Sequence, residues 1–350
     1  MEVVQVVKNY GLVGGMEEYV FRLAEELAVQ DIPTKIVCES QLGEPSKGIE
    51  VVELGSNRKP HWISHFRFSA KVNRWLQQNP QRNRIVHSHE RQSSHQVSTF
   101  HTTPFNFDRK RSLLHRVSPR HLLFERLEKR EIHGKQVKAV VPVSSNLGNM
   151  LKIKYPSARE RITPPIHPGV ALDGLNNVIR KTVPIDGGVI GFMGKEWQRK
   201  GLPQVISVWR ELKKERPKLA IRMAGVSSDE IIHLFGNNDR DYEVLGFIED
   251  KKSFYQSIDL LLHPAKKEAF GMVVSEAMTM GVPVLCSTEC GASELVDENF
   301  GIQLPFSGSI KEWCAAASDI LKDSYPKKTF SRAWHQVATE YLNIYNNNLS

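Results

Sequence analysis

Residues 263–284, reading HPAKKEAFGMVVSEAMTMGVPV, constrain this chain more than any other stretch. Residues 259–263, ending in Leu-Leu-Leu-His, read as a short buried strand. Residues 272–280 read as an apolar helix closed by Gly281 and Pro283. Strand, turn, glycine and helix in this order form the joint of a parallel α/β sheet. The joint leaves the first N–H groups of its helix without partners. Those of Gly271, Met272 and Val273 converge with the positive end of the helix dipole on one spot. Such a spot binds anions, phosphate above all. Glu268 stands just before it and Glu276 about one helical turn inside, so both can face the carboxyl edge of the sheet, where open α/β folds bind ligands. A carboxylate accepts hydrogen bonds from sugar hydroxyls. Carboxylates beside a phosphate site point to a nucleotide-sugar, although two glutamates on a surface helix can also be plain solvated charge.

The rest of the chain repeats the strand–helix alternation that argues for parallel sheets. Residues 3–8 read as a buried strand, 9–15 as a glycine-rich loop, and 16–29 as a helix with Tyr19, Val20, Leu23 and Leu27 at helical spacing. Further strands are expected at 34–38, 51–54, 84–87 and 97–104, with a helix over 65–76 anchored by Phe68 and Trp75. A strand over 139–146 and a helix over 147–154 follow. After a polar, irregular stretch at 173–184, strands recur at 189–194, 219–224, 242–248, 283–286 and 301–304. Helices over 202–212, 310–321 and 330–345 complete the pattern. The G-x-G-x-x-G dinucleotide fingerprint is not matched, which disfavours a nicotinamide dehydrogenase. His87, His89 and His95 read as solvated or hydrogen-bonded loop histidines; they lie on different loops with no metal-ligand spacing. His101 ends a strand, where ligands bind.

Four groups of residues, His263-Pro264, Glu268-Ala269-Phe270-Gly271, Ser275-Glu276-Ala277-Met278 and Gly281-Val282-Pro283-Val284, resemble the signature of the retaining family-4 glycosyltransferases, which carry an E-x7-E motif. The resemblance covers most of the chain. It implies an α/β GT-B fold: two Rossmann-like domains whose parallel sheets face a deep cleft. Residues 1–172 would bind the acceptor, residues 173–327 the nucleotide-sugar, and a last helix, about 328–350, would return to the first domain.

The resemblance also implies site residues. Glu268, His101 and Lys200 are the catalytic candidates, with Glu268 on donor-sugar hydroxyls and His101 on the sugar or its phosphate. Gly15, Lys195, Arg199, Phe247, Phe270, Gly271, Met272, Val273 and Glu276 are donor-binding candidates. Glu276 would hold the ribose, Phe247 would flank the base, and Lys195 and Lys200 would reach the diphosphate. Lys195 stands where the family commonly has arginine, so a point charge replaces a bidentate fork, and Arg199 is the candidate substitute. Gly14 and Glu90 are placed on the acceptor side. The loop around Gly11, Gly14 and Gly15 is otherwise a plain tight turn. No cofactor and no metal is expected, since the nucleotide-sugar is a substrate and no Asp-x-Asp ends a strand. A same-fold epimerase or hydrolase, and a basic binding module without enzymatic activity, are the rival readings.

The chain carries net charge +8, and residues 105–138 hold ten Lys/Arg against four Asp/Glu, a net +6. From Pro119 this segment turns helical, with Leu122, Leu123, Leu127 and Ile132 near one side. Basic residues interleaved with Phe and Leu suit an anionic membrane surface. They also suit a phosphorylated acceptor, or a core-packed helix with a solvated face. No nucleic-acid motif accompanies them. The four cysteines lack metal-finger spacing, and no run approaches the roughly 18 apolar residues of a membrane span. Residues 1–7 are too short and too acidic for a signal peptide. A cytoplasmic protein, peripheral to the inner membrane and acting on a glycan or lipid-linked acceptor, is therefore expected. Neutralising Arg109, Lys110 and Arg111 should abolish binding to anionic vesicles in a sedimentation assay; unchanged binding would count against the membrane reading.

Overall fold

The computed structural model describes residues 1–56, 61–107, 118–171, 182–322, 328 and 330–349. Arg109, Lys110, Arg111 and Arg116 of the basic segment lie outside the described residues, as does most of the polar stretch at 173–184. Two compact units are present: Met1–Gly169 with Arg332–Ser350, and Val170–Ser331.

In chain order the strands of the first unit are β1 (Glu2–Val6), β2 (Asn9–Tyr10), β3 (Thr34–Cys38), β4 (Ser40–Gln41), β5 (Ile49–Glu53), β6 (Arg84–Ser88), β7 (Val97–Phe100) and β8 (Ala139–Pro142). Six of them form one sheet in the order β5-β3-β1-β6-β7-β8, with every pair parallel. The reason lies in the residues: Val3, Val4 and Val6 are all fully buried, as a strand covered on both faces requires. The helix Gly15–Val29 buries Tyr19, Val20, Leu23, Ala24 and Leu27 along one stripe. The small parallel pair β2–β4 has no counterpart in the sequence reading. Two residues per strand are too few for a periodic signal. The pair closes because Gly11 has φ +150°, where a Cβ would lie 1.9 Å from the Leu42 carbonyl oxygen.

The helix Pro119–His133 differs from its expected amphipathic form. Leu127 and Ile132 are buried, but Leu122 is exposed, and His121, Glu128 and Glu131 occupy the buried face. Burying a carboxylate requires partners. Glu128 has them in Lys154 Nζ at 2.5 Å, the Tyr155 hydroxyl at 2.7 Å and the Phe105 N–H at 2.7 Å.

The second unit holds β9 (Val189–Met193), β10 (Ala220–Ala224), β11 (Tyr242–Gly246), β12 (Leu260–His263), β13 (Val284–Ser287) and β14 (Gly301–Leu304). Their order is β11-β10-β9-β12-β13-β14, again all parallel. Trp209, Trp313, Phe192, Leu260 and Leu285 centre the core. Glycine closes three adjacent strands at the carboxyl edge. Gly194 N–H donates to the Ala224 carbonyl at 2.9 Å, and Gly225 N–H to the Gly246 carbonyl at 2.7 Å. A Cβ on Gly225 would approach the Gly194 backbone to 3.1 Å, so this edge is free of side chains where backbone meets backbone.

The last helix, Trp334–Leu349, belongs to the first unit and carries Tyr341 and Tyr345 into its core. There they complete a buried polar network. The Tyr345 hydroxyl meets His87 Nδ1 at 2.7 Å, and His87 Nε2 meets Thr99 Oγ1 at 2.7 Å. Thr99 Oγ1 meets the Tyr341 hydroxyl at 2.6 Å, and Tyr19 donates to that hydroxyl at 2.9 Å. His89 bridges Gln5 Oε1 at 3.0 Å and His101 Nε2 at 2.9 Å. His95 Nε2 reaches the Glu131 carbonyl at 3.0 Å. Of the two alternatives for His87, His89 and His95, the hydrogen-bonded one holds and the solvated one does not: all three are buried, and neighbouring strand and helix atoms take the place of water.

Burial pushes the His101 imidazole down to about 3 and the His95 imidazole to about 4, and holds His87 and His89 well below the usual range. These depressed groups contribute stability that is complete above the unfolded value near 6.5 and is lost as pH falls through the folded values. Burial also pushes Glu131 up to about 8, which acts in the opposite sense between its unfolded and folded values. Four imidazoles outweigh one carboxyl. Urea unfolding should therefore show stability falling from about pH 7 to about pH 5, with a slope of roughly two or more protons taken up on unfolding. A flat or rising profile would contradict the assignment.

Candidate active site

Gly271 sets the geometry of the second unit's site. It is the N-cap of the Met272–Thr279 helix at φ +95°, in the left-handed region. No side chain caps this helix, so its first amides stay available. The loop before it is fixed from behind. Glu268 N–H donates to the Glu289 carbonyl at 3.1 Å, Gly291 N–H to the Glu268 carbonyl at 3.0 Å, and Ala292 N–H to the Phe270 carbonyl at 2.7 Å. Cys290 Sγ contacts the same Phe270 carbonyl at 2.9 Å. Phe270 itself is buried, so its ring is a core group and its backbone is what the site uses. Met272 and Val273 are half-buried at the helix start.

Two cations hold Glu268. Arg199 Nη1 donates to Glu268 Oε2 at 3.0 Å, and Lys200 Nζ lies 3.6 Å from the same oxygen. Arg199 is also bound to Glu196, through Nε at 2.8 Å, and to the Lys267 carbonyl. Burial would lower its guanidinium, but Glu268 and Glu196 outweigh that and raise it. Its fork is therefore engaged with protein carboxylates, which makes it a holder of Glu268. Lys200 instead extends along Gly194, where a Cβ would sit 2.3 Å from its Cδ. The glycine keeps that lysine's path open. Lys195 is exposed, with Nζ 5.2 Å from the centroid of the exposed Phe247 ring, a cation–π arrangement at the same sheet edge.

Glu276 is buried, with side-chain exposure of 4%. Lys251 Nζ reaches its Oε1 at 2.7 Å, and Tyr255 donates to its Oε2 at 2.6 Å. The same Tyr255 hydroxyl lies 3.3 Å from the Val273 carbonyl, beside the first turn of the helix that carries the carboxylate. Sequence reasoning missed Lys251 and Tyr255. They come from the separate Lys251–Gln256 helix, and no local pattern links them to Glu276. Gly194, Gly225 and Gly246 were legible in principle, as glycines that end three strands.

The first unit places its own candidates at the carboxyl edge of its sheet. Gly14 caps the Gly15–Val29 helix in extended conformation, and its added Cβ would meet Glu17 Oε2 at 2.6 Å. Glu90 follows β6 and is buried, with Oε1 3.4 Å from the Lys8 N–H and Oε2 3.4 Å from His65 Nδ1. His101 directly follows β7, half-buried, with its ring edge-on to Tyr19 at 4.9 Å. The structure thus gathers Gly14, Gly15, Glu90 and His101 on one unit, and the other candidates on the second.

Residues 178–337 match the family model described as glycosyl transferases group 1, and residues 13–173 match that of glycosyltransferase family 4. The chain belongs to this glycosyltransferase family. WaaG, a lipopolysaccharide glucosyltransferase of Escherichia coli K12, is 22% identical over 94% of this chain and 90% of that protein. WclY, an O-antigen biosynthesis glycosyltransferase of Escherichia coli, is 26% identical, but the match spans 47% of this chain and only 48% of WclY. The crystal structure of WaaG superposes with a TM-score of 0.80 at 20% identity, covering 97% of this chain and 95% of that one. That of Anabaena HepE in complex with UDP-glucose superposes with a TM-score of 0.62 at 16% identity, covering 100% and 98%. The fold class is GT-B, with a Rossmann-like parallel sheet in each unit.

In this site the Gly271 backbone tolerates no side chain without strain. Its added Cβ would lie 2.6 Å from Cys290 Sγ. Gly271→Ala should cost about 1–3 kcal/mol in denaturant unfolding, from left-handed strain and the cysteine contact together. Adding Cys290→Ala should recover only part of that loss, since the backbone strain remains. A neutral Gly271→Ala variant would contradict this geometry.

Proposed function

We propose that the protein transfers a sugar, with retention, from a nucleotide-sugar to a hydroxyl of a glycan or lipid-linked acceptor. A UDP-sugar is the first choice of donor. The pathway proposed is bacterial envelope polysaccharide or lipopolysaccharide synthesis, at the cytoplasmic face of the inner membrane. Among the described residues no helix is long and apolar enough to cross a membrane, so attachment would be at the surface. The observation that carries the reading is the uncapped helix start at Gly271, flanked by Lys200–Glu268 on one side and by buried Glu276 on the other.

Each residue then has a task. The diphosphate sits on the amides of Gly271, Met272 and Val273, with Lys200 and Lys195 supplying positive charge. As the anomeric carbon–oxygen bond breaks, the charge left on the diphosphate meets donors already in place, which are usually the largest catalytic contribution. Glu276 accepts the ribose hydroxyls. A carboxylate offers about four acceptor sites. Lys251 and Tyr255 take one on each oxygen, which leaves one on each for a diol. Glu268, oriented by Arg199, accepts sugar hydroxyls, and Phe247 flanks the base. The acceptor oxygen bonds to the anomeric carbon, and its proton leaves on the departing phosphate. No protein base is assigned. UDP is favoured because the neighbouring HepE structure holds UDP-glucose.

Thermal shifts with UDP, GDP, ADP and NAD test the donor reading. At 100 times Kd a ligand adds about 2.7 kcal/mol. A selective UDP shift, reduced in Glu276→Ala, is the expected result; no shift with any of the four would contradict the transferase reading. In a UDP-release assay Lys200→Ala should lower kcat by about 10²–10³-fold, as loss of one charge-stabilising donor does. An unchanged kcat would remove Lys200 from the chemistry.

A further inference from the structure

The buried network of the first unit contains one branch that ends at a site candidate. Gln5 lies near the carboxyl end of β1, fully buried, and presents Oε1 to His89 Nε2 at 3.0 Å. His89, 4% exposed, presents Nδ1 to His101 Nε2 at 2.9 Å. Water has little access to Gln5 or His89, so each hydrogen on this chain must point one way or the other.

A carbonyl oxygen only accepts, so His89 Nε2 carries the hydrogen. Burial beside His87 and His101 keeps His89 neutral, which leaves its Nδ1 bare. His101 must then donate from Nε2. Among the described residues Nδ1 of His101 has no hydrogen-bond partner, and it is not among the buried unpartnered atoms, so it is open to solvent. Tyr19, edge-on to the ring at 75° and tied by its hydroxyl to Tyr341, holds the plane of the imidazole.

We infer that Gln5 and His89 are positioning residues, which fix His101 in the Nε2–H tautomer and leave Nδ1 as an outward-facing acceptor. The chemical consequence is sharp. A bare Nδ1 takes a hydrogen from a hydroxyl and repels the oxygens of a phosphate. For a ligand bound at the carboxyl edge of the first unit's sheet, His101 therefore reads a hydroxyl and not a phosphate. This consequence rests on the sugar-transfer reading above; the tautomer does not. If the Gln5 amide were turned, with its NH₂ toward His89, every hydrogen on the chain would reverse. His101 would then show an N–H suited to phosphate.

NMR of the full-length chain labelled with ¹⁵N-histidine decides between the two through long-range ring correlations. The expected spectrum has His89 and His101 both protonated on Nε2. Gln5→Met and His89→Leu should shift the His101 ring nitrogens toward averaged tautomers. His89→Gln, whose side-chain oxygen can still accept from His101 Nε2, should keep the wild-type His101 pattern. Protons on Nδ1 of both rings in the wild type would overturn the inference, and so would a His101 pattern unmoved by Gln5→Met and His89→Leu. If the variants fail to fold, the wild-type spectrum alone gives the answer. The spectrum is read without substrate, so an Nε2–H pattern in a protein that shifts with no nucleotide would sink the transferase reading and leave the tautomer standing.

Discussion

One backbone angle governs the second unit's site. Gly271 turns the chain at φ +95°, and only that turn starts the Met272–Thr279 helix with its first amides uncovered. Glu268 and Glu276 lie on either side of the turn, so their separation follows from it. The segment 289–292 clamps the turn through three backbone hydrogen bonds and the Cys290 thiol. The clamp explains why a position needing left-handed backbone persists: the surrounding structure over-determines it.

Charge is arranged around that turn before any ligand arrives. Glu268 is held by Arg199 and Lys200, and Glu276 by Lys251 and Tyr255. The two carboxylates differ in environment. Glu268 keeps 15% of its side-chain surface exposed, whereas Glu276 keeps 4%. A more open carboxylate suits groups that must change partners during reaction, and a buried one suits a fixed recognition contact. Preorganised charge of this kind needs no rearrangement at the moment of bond breaking.

Much of this was legible in the sequence because buried parallel strands write their burial plainly. The Val-rich β1 and the Leu-rich β12 could hardly be anything else, and the glycine before Met272 marked the uncapped helix start. What stayed hidden was long-range. Lys251 and Tyr255 reach Glu276 from another helix, and Tyr341 and Tyr345 reach His87 and Thr99 from the far end of the chain. No spacing rule encodes such meetings. Leu122 misled for the opposite reason: apolar periodicity in residues 119–133 suggested an apolar face, but the helix buries Glu128 and Glu131 because strong partners wait for Glu128 and Ser98 for Glu131. Short strands such as β2 and β4 fall below any periodic signal.

The central claim is that the turn at Gly271 is the diphosphate site of a nucleotide-sugar. A crystal structure of the protein with UDP tests it most directly. The account predicts the diphosphate on the amides of Gly271, Met272 and Val273, Lys200 Nζ within hydrogen-bond reach of a phosphate oxygen, and the ribose diol on Glu276. UDP bound elsewhere, or its ribose away from Glu276, would contradict it.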